Sequence, residues 1–246
     1  MQGYFDADYS GPAFELFGTG HLLFLGALVA VILFLFRGRR TWNDDARRRG
    51  RLGLAAAIVI VELSWHAWAL SQGIWSLQLS LPLHACSVGL WTSVYILLTR
   101  NYRAYEIIFF IGIAGATQAL LTPNAGDYGL PHFRAVQTMT SHSLLVIAMI
   151  WMTVIEGLRP TWKSIWRTMV AANLYMVFVT AVNVLLGSNY MYTLAKPPEA
   201  SIIDVMGPWP WYIFYAEFLA LALFTLLYLP FALADRQADR RVADTA

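Results

Sequence analysis

The chain has 246 residues, 58% of them hydrophobic and 13% charged, with a net charge of +2. Soluble domains carry about 25% charged residues, so this composition excludes an ordinary soluble domain and indicates a polytopic membrane protein. The basic residues sit in short flanks rather than on a continuous face, which argues against a nucleic-acid partner. The lone cysteine, Cys86, excludes an internal disulfide.

The N-terminal stretch MQGYFDADYSGPAFELF has no basic n-region and is not read as a cleaved signal peptide. A bilayer core takes about 20 mainly apolar residues as helix. Seven stretches qualify or come close, at about 15–36, 53–72, 83–99, 104–122, 134–155, 167–187 and 210–230. The expected fold class is therefore all-α: one seven-helix transmembrane bundle over residues 1–246, because lipid leaves backbone polar groups no outside partner. The basic residues alternate loop by loop. Loop 37–51 holds seven arginines, and fifteen of the seventeen Lys and Arg residues fall on one side, leaving Arg134 and Lys196 on the other. The positive-inside rule then places the N-terminus outside and the C-terminus in the cytoplasm of a multi-pass cell-membrane protein.

Taken in chain order, each span brings a polar or reactive group to its outer half. Span 1 has His21, and span 2 has Glu62 and His66. Span 3 opens with LPLHACS, which holds His84 and Cys86. Pro82 suits a first helical position, so the helix is predicted to begin near Leu81, with Cys86 in its second turn. Span 4 ends near Gln118, span 5 carries His142, span 6 ends near Asn183 and span 7 carries Glu217. The inner halves are nearly apolar, Asn173 excepted. Ionisable groups within a span are functional hypotheses, and one shared depth suggests one cavity. Each of them taken singly also has a structural reading, as an interhelical hydrogen bond.

Cys86 reads either as a small buried hydrophobe or as a nucleophile. A helix N-terminus favours a thiolate. His84 is two residues away, and such residues face nearly opposite sides of a helix. The base is therefore sought on another helix, at His142 or, in reserve, His66 oriented by Glu62. A Cys–His pair allows acyl transfer through a thioester. His84, Gln118, Asn183, Asn189, Tyr190 and Trp209 are the expected substrate contacts, although Trp209 equally fits an interfacial aromatic belt. No dense histidine motif, P-loop or dinucleotide fingerprint appears, so no cofactor is expected and the metal signal is weak, with Glu62 and His66 at i, i+4 spacing left open as two zinc or iron ligands of a metal-dependent hydrolase.

Several strings resemble a known family: ALLTP (119–123), LPHFRAVQTMTSHSLLV (130–146), GSNYMYTLAKP (187–197), DVMGPWPWYI (204–213), and LPLHACS with Glu62 and His66 before it. They look like the YwaF-like family of bacterial integral membrane proteins, across spans 2 to 7. That family is distantly similar to a eukaryotic transmembrane acyltransferase of ether lysophospholipids. The resemblance implies Cys86 as nucleophile, His142 as its histidine, and membrane lipids or lysolipids as partners. The expected function is lipid acyl transfer or hydrolysis. The alternative is a non-enzymatic lipid or small-molecule binding or transport protein using the same cavity.

Overall fold

The computed structural model describes residues 3–123, 128–197 and 202–243. Every regular element there is helical: α1 (Thr19–Gly38), α2 (Asp44–Ser71), α3 (Ala85–Thr99), α4 (Tyr102–Leu121), α5 (Phe133–Val154), α6 (Trp162–Leu186) and α7 (Trp211–Ala243). Short 3₁₀ turns lie at Tyr190–Tyr192 and Ile202–Met206.

Local chemistry explains the helix ends. The Asn43 side chain accepts from the Ala46 N–H at 2.9 Å, and Asp44 and Asp45 occupy the first turn of α2, where the helix dipole favours acids. This cap starts α2 at Asp44 rather than near residue 53, so the arginine-rich segment is helical too. Thr161 and Ser164 form a capping box at the start of α6. α7 runs on through Pro230 into the polar tail.

Six helices are long and apolar enough to cross a membrane; α3 is the exception. Its 15 residues reach about 22 Å, short of a hydrocarbon core of about 30 Å. The helix begins at Ala85, not near Leu81. The Leu81 N–H bonds the Tyr190 hydroxyl at 2.9 Å and the Leu83 N–H turns back to the Leu81 carbonyl, so this stretch forms a turn. Cys86 is consequently the second residue of α3.

α5 is the most buried helix and packs against α1, α2, α3 and α4, while α4 carries the contact onward to α6 and α7. At the arginine-rich end, buried Glu156 meets Arg51 at 3.5 Å and Arg100 at 3.1 Å, tying α2 and the end of α3 to α5. Buried Glu106 on α4 meets Arg167 on α6 at 2.9 Å and accepts from Ser164 at 2.6 Å. At the opposite end the segment before α1 runs across the helix ends. The Trp68 indole N–H donates to the Phe5 carbonyl, the Phe133 N–H to that of Tyr4, and the Tyr128 hydroxyl to that of Ala7.

Candidate functional site

A cavity of about 290 Å³ opens near the start of α3. α2 contributes Glu62, Trp65 and His66 to its lining. The α2–α3 loop contributes Leu79, Ser80, Leu81, Pro82 and His84, and α3 contributes Cys86 and Ser87. α5 contributes Arg134, Gln137, Ser141 and His142. Glu62 lies nine residues before the end of α2 and His142 nine residues after the start of α5, each about 14 Å along its helix. The late start of α3 puts its first turn at the same level.

The three histidines in this cavity are not equivalent, because their partners fix their tautomers. His142 Nδ1 lies 2.8 Å from the Thr138 carbonyl, one helical turn back. A carbonyl only accepts, so Nδ1 carries the proton and Nε2 keeps its lone pair. His66 is opposite: the Trp75 indole N–H, a donor only, lies 3.2 Å from His66 Nδ1. His66 therefore has its proton on Nε2. His84 matches His66, since its Nδ1 accepts from the Met191 backbone N–H at 3.3 Å. His142 offers a base, whereas neutral His66 and His84 offer N–H donors.

Cys86 is partly exposed toward this cavity and is the second residue of a helix without a side-chain cap. Cys86 thus lies within the first turn, the range over which a helix dipole acts. No hydrogen bond joins Cys86 to His142 or His66 among the described residues. Glu62, 5% exposed, likewise has no hydrogen bond or ion pair among them. It shares its helix face with His66, but His66 Nδ1 is held by Trp75 rather than by Glu62.

The other expected contacts lie away from the cavity lining. Asn183 is fully buried and organises the loop after α6, donating to the Tyr190 carbonyl (2.8 Å) and Thr193 Oγ1 (2.9 Å) and accepting from Ser188 Oγ and the Tyr190 N–H. Asn189 closes the same loop through Ala195 and Leu194. The Tyr190 hydroxyl accepts from the Leu81 N–H and donates to the Leu77 carbonyl at 2.8 Å, so this loop holds the cavity wall in place. Exposed Trp209 donates to the Thr193 carbonyl at 3.0 Å. Gln118 is half-buried on α4. His21 is saturated, accepting from the Phe17 N–H and donating to the Leu120 carbonyl. Glu217 accepts from Asn173 at 2.9 Å on the α6–α7 side and is not among the residues lining the cavity.

Arg134 is the lining residue that site reasoning from sequence passed over. Its signal was visible: it is one of two basic residues on the sparsely charged side, and it opens a span. Its Nη1 donates to Gln137 Oε1 (2.5 Å) and Thr138 Oγ1 (2.7 Å), and its guanidinium lies 4.4 Å from the Trp65 ring centroid.

Residues 16–228 match the sequence model of the TMEM164 family, and the chain belongs to that family of membrane proteins. With six helices of spanning length, it is an integral multi-pass membrane protein. None of the curated proteins and none of the solved structures matches it.

Proposed function

We propose that this member of the TMEM164 family transfers or hydrolyses lipid acyl chains through a thioester on Cys86, in the outer leaflet of a bacterial plasma membrane. In this reading α3 crosses as a seventh, shortened span, the N-terminus is outside, the arginine-rich loops are cytoplasmic, and the relationship to YwaF-like proteins and to ether-lysophospholipid acyltransferases is one of shared chemistry. The observation that carries it is a thiol and a histidine with its Nε2 lone pair retained, lining one cavity.

Cys86 Sγ attacks the ester carbonyl of a donor lipid while its proton passes to His142 Nε2. The Thr138 carbonyl holds the resulting imidazolium through Nδ1–H. The oxyanion is met by the uncapped backbone N–H groups of the first turn of α3 and by His66 Nε2–H. On collapse the C–O bond breaks, the departing alkoxide takes the proton from His142, and an acyl–Cys86 thioester remains. A lysolipid hydroxyl, or water, then attacks the thioester and gives its proton to His142. The Cys86 sulfur leaves and recovers that proton. The open Cys86–His142 geometry closes when substrate fills the cavity, as apo catalytic pairs often do.

The test is incorporation of a labelled acyl chain into lysophospholipid by protein in liposomes. Cys86→Ser and His142→Ala should each abolish it. Full incorporation by Cys86→Ala refutes the mechanism. The missing Cys86–His142 hydrogen bond favours a second reading, a lipid-binding or transport protein using the same cavity; lipid binding without acyl turnover in the wild type is its signature.

A further inference from the structure

We propose that Arg134 forms an anion-binding subsite in the outer cavity, whose ligand is the singly charged phosphodiester of a lipid headgroup. The anion site itself does not need the thioester chemistry. The choice of a lipid as its source rests on the proposed function.

Arg134 is the one Lys or Arg among the described residues lining this cavity. It is held rigidly: Nη1 is fixed by Gln137 and Thr138, and the guanidinium plane rests against Trp65. Nε and Nη2 have no acceptor among the described residues, and no carboxylate lies within ion-pair distance, although Glu62 lines the same cavity. A half-buried charge on a spanning helix with no ion-pair partner at contact distance is costly and points to a ligand. The remaining fork suits a phosphate oxygen pair, which guanidinium binds bidentately.

The neighbouring groups agree. The Nε2–H groups of His66 and His84 add two donors to the same cavity, as their Nδ1 partners require. Glu62, nine-tenths buried and without a partner among the described residues, sets the charge limit. Arg134 offers a single positive charge, and the Glu62 carboxylate in the same cavity opposes each added negative charge, so a monoanion is tolerated better than a dianion. A phosphodiester is favoured over a phosphomonoester for that reason.

The experiment uses Cys86→Ser protein in neutral detergent, so that binding is read apart from acyl chemistry. Trp65 fluorescence reports titrations with lysophosphatidylglycerol, with a monoacylglycerol of the same chain, and with sodium phosphate. The lysophospholipid should bind about tenfold tighter or more than the monoacylglycerol, the scale of one charge-assisted contact. Arg134→Gln should remove that difference, and Arg134→Lys should keep part of it. Glu62→Gln, which touches none of the contacts of Arg134, should tighten the lysophospholipid by a few-fold and leave the monoacylglycerol unchanged. Competition by millimolar phosphate assigns the site to anions in general, and its absence assigns it to the lipid headgroup; both support the subsite. Equal binding of the two lipids by the Cys86→Ser protein, or a preference that survives Arg134→Gln or ignores Glu62→Gln, overturns it. Loss of acyl transfer with this pattern intact would refute the thioester and leave the subsite standing.

Discussion

At the scale of single residues, the histidine partners decide what the cavity can do. A sequence shows five histidines but not which nitrogen of each is free. His66, read from sequence as a reserve base on the strength of its i, i+4 spacing from Glu62, has its Nδ1 lone pair occupied by Trp75 and so suits the role of donor. This division is testable. His66→Gln keeps an N–H donor and should lower kcat about tenfold at most, whereas His66→Leu removes it and should lower kcat by about 10²–10³. Equal effects of the two changes would contradict the donor role. Tyr190 differs in kind: its hydroxyl joins the Leu81 N–H to the Leu77 carbonyl. Tyr190→Phe removes both of these part-buried hydrogen bonds and should cost about 1 kcal/mol, read as a lowered thermal unfolding temperature in detergent. An unchanged temperature would show that the loop does not depend on this bond.

At the scale of elements, the hydropathy pattern made the long helices legible and left their ends imprecise. The spans expected near 104–122 and 134–155 match α4 and α5 within about two residues, because apolar length and flanking turns dominate there. α2 and α3 deviate for identifiable reasons. The Asn43 cap and first-turn aspartates extend α2 into a charged segment that hydropathy ignores. At α3, long-range bonds from Tyr190 and Tyr175 to Leu81 and Leu83 hold a stretch that local signals would let coil into helix. The recessed start of α3 moves Cys86 into the first turn. Helix packing gives a further prediction. A Cβ on Gly50 of α2 would fall 2.1 Å from Cη2 of Trp151, a buried residue of α5 that Trp42 meets edge-on at 5.0 Å. Gly50→Ala should destabilise by about 1–3 kcal/mol through overpacking. Gly53→Ala, with open space at its Cβ position, should not.

At the scale of the whole molecule, the fold gathers chemistry at one end and charge at the other. Buried Glu156 and Glu106 fasten the arginine-rich end, each through arginines from other helices. The opposite end is closed by loops and by the segment before α1 around the cavity. The polar residues that the sequence placed at one depth divide in space. Those of α2, α3 and α5 meet in the cavity, His21 and Asn183 are saturated structural groups, and Glu217 pairs on the α6–α7 side with Asn173, which the sequence reading puts in the inner half. Position along each helix is readable from sequence because helical rise is constant. Which helices adjoin is not, because no local signal encodes the central place of α5. Topology is checked with reporter fusions: fusions in loop 37–51 and after α7 should report the cytoplasm, and one in loop 72–84 the exterior. A loop 72–84 fusion reporting the cytoplasm would overturn the seven-span orientation.

The central claim is the acyl–Cys86 intermediate, and intact-protein mass spectrometry after brief incubation with a phospholipid donor tests it most directly. The expected result is a gain of one acyl chain, labile to neutral hydroxylamine, absent in Cys86→Ser and slowed in His142→Asn by about the 10²–10⁴ of a general base. No adduct under conditions that support acyl turnover, or an adduct that persists in Cys86→Ser, would contradict the account.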